Sequence, residues 1–497
     1  MLPIEVLEYG PLTQALFRES QQDVRKVLSA SNMPLLEKAD SGEKPFHITA
    51  SWPRGVELLL ELGADIAESV IDAKDSQGNT PINYALKLSE PKSIKLLIDS
   101  NAQINLEDTR NIETNLLSGF AQSDEVINVL VCALADRRRK MLSRARRLPR
   151  NSLEPHLPLS DNDLLDYNAF SVIETLKKHG LRLPEYYWDV RQGLVYHSSY
   201  LSAQLANALY EHGFVRINTV FYGFTPLMTV DYCSLWRRRG IDGLFDLVDW
   251  FIDHGVNLKG AIPSVAIHGG ASLQNLETNF EIIHRIAFEI GYFAASHIIK
   301  DQDGLLLTRL WSMVCRPTLD PCSCFCSQAG CTPASAFARG LMAIVVECCP
   351  RLDRSDVYTD ITELLQQGVS SRQVSVQAIK DIFRVMTFTQ LGMKHTCCEF
   401  NKHIPKEHKV ITQMILEGRY HLIDFLEPDE IIEVQSEDKY SAMLLDSLME
   451  EFSAQLGKAD MSLLDFLAYW WKRMQMLMEF CLILLTTIWL QFGQWES

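Results

Sequence analysis

The chain has 497 residues, with 63 acidic against 47 basic side chains and a formal net charge of −16. That length exceeds what one compact core holds, so two or three domains are expected, and the acidic balance argues against nonspecific affinity for nucleic acid across the whole surface. The opening "MLPIEVLEYG" mixes acidic residues with its first apolar ones, unlike a secretory signal. The expected setting is therefore intracellular, cytoplasmic or nuclear, where the twelve cysteines serve as thiols or metal ligands and not as structural disulfides.

In chain order, Pro11 to about Asn32 reads as a capping pair of helices with Leu12, Leu16, Val24, Val27 and Leu28 pointing inward. "GEKPFHITA" then leads into "VELLLELGADI", and thirty-six residues after Pro45 the phrase returns as "DSQGNTPINYA", followed by "SIKLLIDSNAQIN". Asp75, Gln77 and Gly78 suit a tight turn. Thr80 stands where a helix begins, and Pro81 fits its first position because the missing N–H costs nothing there. A stretched third copy, "GFTPLM", precedes "LFDLVDWFIDHGVNL". Weaker echoes are "ETNLLSGFAQSDEVINVLVCAL", with Asn115 in place of the proline, and "SVIETLKKHG" and "LANALYEHGF", whose Gly180 and Gly213 suit a left-handed helix cap.

These segments resemble ankyrin repeats, whose period is about 33 residues with a T-P-L-H-x-A signature. "KPFHITA" keeps Pro45, His47 and Ala50 of that signature, and "NTPINYA" keeps Thr80, Pro81 and Ala85. The resemblance implies an all-α fold: a solenoid of stacked helix-turn-helix units, followed by a C-terminal helical region. It also implies that His47 bonds backbone groups of a neighbouring repeat. Four segments are expected: N-terminal repeats with capping helices over 1–135, a basic helix and linker over 136–163, a second, divergent repeat block over 164–300, and a helical region with cysteine clusters over 301–497.

Eight of the fourteen residues from Arg137 to Arg150 are basic. An import signal or anionic contact patch is one reading; a solvated helix face is the favoured one, because Leu130, Leu134, Met141, Leu142, Ala145 and Leu148 form a helical stripe. "LPRNSLEPHLPLSDND" reads as a linker. "LWRRRGIDG" reads as an insert in the loop between paired helices, carrying Arg237, Arg238 and Arg239 on a protruding surface. His179, His212 and His254 adjoin helix-ending glycines, where imidazole suits the negative end of the helix dipole.

Beyond residue 300 the grammar changes. "CSCFCSQAGC" carries Cys322, Cys324, Cys326 and Cys331, and "MKHTCCEFNKHIPKEH" supplies His395, Cys397 and Cys398. Thiolates with imidazoles are zinc-type ligands. The one-residue spacing is unusual, since alternate residues of a strand face opposite ways, and the competing reading is a set of small buried apolar thiols. The vicinal pairs Cys348-Cys349 and Cys397-Cys398 raise a redox-sensing option. The combination of "DPCSCFCSQAGCTP", "FTQLGMKHTCC" and "YWWKRM" is similar to uncharacterised ankyrin-repeat proteins of filamentous fungi, a likeness that carries no activity with it.

The terminal "MQMLMEFCLILLTTIWLQF" has an uninterrupted apolar core, Phe480 to Leu490, shorter than the roughly twenty residues a bilayer requires. Membrane association through it is not favoured over a buried terminal helix packed through Trp470, Trp471 and Trp489. No phosphate-cradling glycine loop, G-x-S-x-G elbow or H-E-x-x-H helix occurs. The expectation is a non-catalytic scaffold that binds protein partners, not nucleic acid, through turn and inner-helix positions near Asn79, Asn83 and Tyr84 together with Arg237 to Arg239, and that needs no cofactor. The alternatives are a zinc-binding or redox-sensing protein built on the C-terminal clusters, and an enzyme with an unfamiliar C-terminal active site.

Overall fold

The computed structural model describes residues 10–30, 33–39, 41–63, 70–103, 123–147, 164, 166, 169–181, 195–198, 201–219, 225–230, 232–262, 278–298, 304–320, 323–347, 354–396, 428–456 and, with gaps at 468, 471 and 474–475, residues 465–476. These residues are predominantly helical. They fall into two compact units, one made of Met1–Phe221, Thr225–Asp231 and Asp246–Val256, the other of Tyr222–Phe224, Tyr232–Phe245 and Asn257–Ser497.

The first unit opens with three helix pairs: α1 (Pro11–Phe17) with α2 (Gln21–Ala30), α3 (Pro45–Ile48) with α4 (Pro53–Leu62), and α5 (Pro81–Lys87) with α6 (Pro91–Asp99). Each short first helix begins the same way. Gly10, Lys44 and Thr80 are extended, with ψ of 163°, 168° and 165°, and proline follows at the first helical position. Thr225 (ψ 163°) and Pro226 repeat this start in α10, Pro226–Thr229. Proline pre-sets φ and forgoes an N–H that would have no partner there, so four identical starts come from one local rule.

Pairing of neighbours builds the core. α1, α3 and α5 lie in succession, and so do α2, α4 and α6. Leu12, Phe46, Val56, Leu59, Ile82, Ile94 and Leu97 from all three pairs join one buried cluster. Full burial of each such side chain stabilises by roughly 1.5–3 kcal/mol. The turns before α3 and α5 match residue for residue: Ala39 N–H donates to Glu43 O, and Asp75 N–H to Asn79 O, both at 2.9 Å. Ser76 N–H donates to Ser41 O at 3.0 Å, which joins one turn tip to the next. Gly42 and Gly78 both take φ +86°, and a Cβ on Gly42 would stand 2.6 Å from Ser76 N.

α7 (Asp124–Ala145) carries the basic run. Its buried stripe, including Leu130, Leu134, Met141, Leu142 and Ala145, agrees with the solvated-face reading, except that Arg138 is itself buried. The helix runs unbroken through residue 135, where the sequence reading put a boundary. α8 (Ala169–Lys178) and α9 (Ala203–Glu211) end at Gly180 and Gly213, whose φ of +79° and +105° are the left-handed caps expected. The imidazole Nδ1 of His212 and of His254 bonds the carbonyl four residues back, at 2.8 and 2.7 Å. α11 (Tyr232–Asp253) breaks at Gly240, which has φ +69° and ψ −171°. Arg237 to Arg239 are therefore helical, which corrects the expectation of a protruding loop.

In the second unit β1 (Lys259–Ile262) pairs antiparallel with β2 (Thr278–Glu281), Lys259 opposite Glu281, a small departure from an all-helical chain. Its helices are α12 (Ile282–Ile298), α13 (Leu305–Val314), α14 (Pro333–Glu347), α15 (Arg354–Ser370), α16 (Val376–Gln390), α17 (Pro428–Glu437) and α18 (Lys439–Leu456). α12 packs on α14, α14 on α16, and α16 on α18. The first of these contacts is close because Gly291 and Gly340 each approach the other helix where a Cβ would meet a carbonyl oxygen, at 2.2 and 2.1 Å. Trp470 is buried against Phe452, with ring centroids 5.1 Å apart, the packing expected of it; Trp471, Trp489 and the apolar core Phe480–Leu490 lie outside the described residues. Among the described residues no helix is long and apolar enough to cross a membrane.

Gly42→Ala is expected to destabilise the first unit by about 1–3 kcal/mol, since an L-residue is strained at positive φ and the added carbon meets backbone. Urea unfolding followed by helical circular dichroism measures the loss.

Candidate functional site

The junction between the second and third helix pairs holds most of the predicted contact residues. Lys44 N–H donates to His47 Nδ1 at 3.1 Å, so the imidazole proton is on Nε2, which donates to Asn79 O at 3.0 Å. One repeat later Asn83 stands where His47 stood: its Oδ1 accepts from Thr80 N–H at 3.0 Å and also contacts the Thr80 hydroxyl. Asp75 organises the turn between them, accepting from Gln77 N–H at 2.9 Å and from Asn79 through its backbone (2.7 Å) and side-chain amide (3.0 Å). Tyr84 lies edge-on to the His47 ring, and its hydroxyl is within 2.6 Å of Glu43 Oε1 and 2.8 Å of Asp75 Oδ2.

The electrostatics follow from burial and these bonds. Desolvation pushes the Tyr84 hydroxyl pKa up, reinforced by its bonds to Glu43 and Asp75. Desolvation alone would raise the Asp75 carboxyl, but hydrogen bonds from Asn79, Tyr84 and Gln77 hold it below the usual carboxylate value. Desolvation lowers the His47 imidazole, only partly offset by Asn79 O and by the nearby Asp75 and Glu43.

Asn79 is 2% exposed and Asn83 9%. Their expected place on an open recognition surface is corrected: the Asn79 amide is taken up by the Asp75 carboxylate inside its turn, and Asn83 caps its own helix start at Thr80 N–H. Tyr84 is half-buried, with its hydroxyl turned toward the two carboxylates. Among the residues of this turn and helix, Ser76, Gln77, Lys87 and Leu88 are exposed. Arg237 is exposed, while Arg238 and Arg239 are half-buried in α11.

A second constellation lies at the loops of the second unit. Cys324 Sγ, Cys326 Sγ and a ring nitrogen of His395 all lie within 4.8 Å of one another. Cys324 Sγ is 3.9 Å from His395 Nδ1, and Cys326 Sγ is 3.5 Å from Cys331 Sγ. The segment is a turn and not a strand: Ser327 N–H donates to Cys324 O at 3.1 Å, which brings Cys324 and Cys326 to one side. Gly330 has φ +115° and runs so close to Asp320 O that a Cβ would stand 2.0 Å away. Asp320 then fixes Cys331 twice, accepting Cys331 N–H at Oδ1 (2.8 Å) and donating its own N–H to Cys331 O (3.0 Å). His284 Nε2 donates to the same carbonyl at 2.8 Å.

Two residues that no local motif marks brace these loops. Arg384 Nε donates to Phe325 O at 3.1 Å while its Nη2 pairs with Asp446 at 2.7 Å. The Gln435 amide reaches Ser323 O at 3.2 Å and Thr396 Oγ1 at 3.4 Å, one partner on each loop. Both act over long sequence separations, which composition and spacing do not encode. Cys322, Cys397, Cys398 and the pair Cys348-Cys349 lie outside the described residues, and no disulfide joins the described cysteines.

No protein-family model matches this chain, and no curated protein matches it.

His47 makes the first unit pH-sensitive. Its folded-state pKa lies below the unfolded value of about 6.5, so the unfolded chain takes up the proton first. The stabilisation is complete above about pH 6.5 and is lost as pH falls through that value toward the folded-state pKa. Asp75, held low, loses its contribution only below the ordinary carboxylate range. Between pH 7.5 and 5, the protection factors of the α4 amides, measured by hydrogen exchange and corrected for the pH dependence of intrinsic exchange, are expected to fall in the native sequence and to stay level in His47→Gln.

Proposed function

We propose that the chain is a non-catalytic interaction protein of the ankyrin-repeat kind, its first unit a solenoid that presents turn tips and inner helices to protein partners. The observation that carries this reading is the junction bond from His47 to Asn79 O, combined with α1, α3 and α5 lying in succession behind identical proline starts. A histidine at the third helical position that reaches the turn of the following unit is what the T-P-L-H pattern is for: it fixes the spacing of neighbours while leaving the tip side chains outside. Recognition on such a platform comes from a few exposed side chains on a rigid stack. Here those are Ser76, Gln77, Lys87 and Leu88, with Tyr84 at their edge.

Capture of binding proteins by the full-length chain is compared with Gln77→Arg/Leu88→Arg and with a control, Lys95→Glu, on the exposed face of α6. The double variant is expected to lose specific partners at least tenfold at unchanged thermal midpoint, with the control matching the native chain. Equal recovery of every partner by all three proteins would refute the assignment of this face.

A further inference from the structure

The thiol–imidazole cluster of the second unit has a geometry that apolar packing does not demand. Ligands at about 2.3 Å (sulfur) and 2.0–2.1 Å (nitrogen) around a tetrahedral centre stand about 3.8 Å apart for two sulfurs and about 3.6 Å for sulfur and nitrogen. The observed separations are 3.5 Å between Cys326 Sγ and Cys331 Sγ and 3.9 Å between Cys324 Sγ and His395 Nδ1. These two separations lie within a few tenths of an ångström of those values; Cys324, Cys326 and His395 form the group whose donor atoms all lie within 4.8 Å of one another, and Cys331 stands outside it, against Cys326. Cys324, Cys326 and Cys331 are all buried, and the Phe388 ring packs tilted against that of His395 with centroids 4.4 Å apart. Thr396 N–H points at Cys324 Sγ, 3.4 Å away, the kind of donor that favours a thiolate.

We propose that Cys324, Cys326 and His395 bind one Zn²⁺ and that Cys331, beside Cys326, swings its sulfur in as the fourth ligand, giving a closed structural centre that ties the 323–331 loop to the 393–396 loop. Binding converts three thiols to thiolates and releases three protons to solvent, with no change of oxidation state. The centre then carries a net charge of −1. The Thr396 amide bears directly on it, and the Arg384 guanidinium, bonded to Phe325 O between two of the ligands, supplies a nearby positive charge. Four protein donors leave no position for water or substrate, which makes the role architectural and not hydrolytic. The loops have little helix and share few apolar side chains, so a metal supplies the cross-link that a core would otherwise provide. The ligand backbones are already positioned, Cys331 by Asp320 and His284, and the two loops by the Gln435 bridge. This centre lies wholly within the second unit and stands independently of the repeat reading.

The test uses the full-length chain purified under reductant, with metal content measured by mass spectrometry and the chelated protein titrated with Co²⁺. One zinc per chain is expected, and Co²⁺ should give thiolate charge-transfer absorption with the visible bands of a tetrahedral site. Cys324→Ser/Cys326→Ser should lose both signals, and Cys315→Ser, whose sulfur lies by Gln373 O, should keep both. Zinc retained by the double variant at native stoichiometry would overturn the proposal. So would a native chain that takes up neither metal, a measurement that does not depend on any variant folding. An intact mass two hydrogens lighter under the same reductant, locating a Cys326–Cys331 disulfide in metal-free protein, would assign the cluster to redox chemistry instead.

Discussion

A pair of helices four to ten residues long cannot cover both of its own apolar flanks, and the first unit is the consequence of that shortage. Each pair is finished by the next one, so the decisive contacts are between pairs and not within them. His47 is the point where this dependence is enforced by a directional bond. Its ring accepts a hydrogen bond from its own helix start and donates one to the next turn, so helix initiation and repeat spacing share one side chain. Burial of Phe46, Leu59, Ile82 and Leu97 supplies the gross stabilisation, but burial is non-directional and would tolerate a shifted neighbour. The imidazole does not.

The second unit solves a different problem. Its helices are longer, α12 and α14 approach closely at paired glycines, and the core is conventional. The demanding parts are the loops at the helix ends, which must hold their shape with few apolar residues. They do so by backbone-directed bonds from long side chains: Arg384 to Phe325 O, Gln435 to Ser323 O, and His284 to Cys331 O. Each such bond fixes a carbonyl next to or within the thiol cluster.

Much of the first unit was legible because its rules are local. Proline at a helix start, glycine at positive φ and an apolar stripe each act within four residues, and Pro81, Gly180 and the face of α7 follow them. The recognition surface was less legible. Asn79 and Asn83 look solvent-facing by composition, yet the Asp75 carboxylate draws Asn79 inward and Asn83 turns back to cap its own helix at Thr80. Arg237 to Arg239 read as an insert because charge runs interrupt patterns; the break sits one residue later, at Gly240, and leaves the arginines helical. For the cysteines the residue types pointed to ligand chemistry while their spacing spoke against it. Spacing misleads when a turn replaces a strand, and nothing in "CSCFC" alone distinguishes the two. Gly330, forced by the nearness of Asp320 O, is the residue that carries that information.

The bond from Ser76 N–H to Ser41 O joins adjacent turn tips through main-chain atoms alone. Alignment of the tips is thus indifferent to which side chains they bear. Under mutation the outward positions can drift while the backbone lattice beneath them persists, so two members of such a lineage could share every internal dimension and yet address entirely different molecules. The same indifference erases the sequence record: the parts that keep the shape are few, small and scattered, and the parts most free to change are those that face outward.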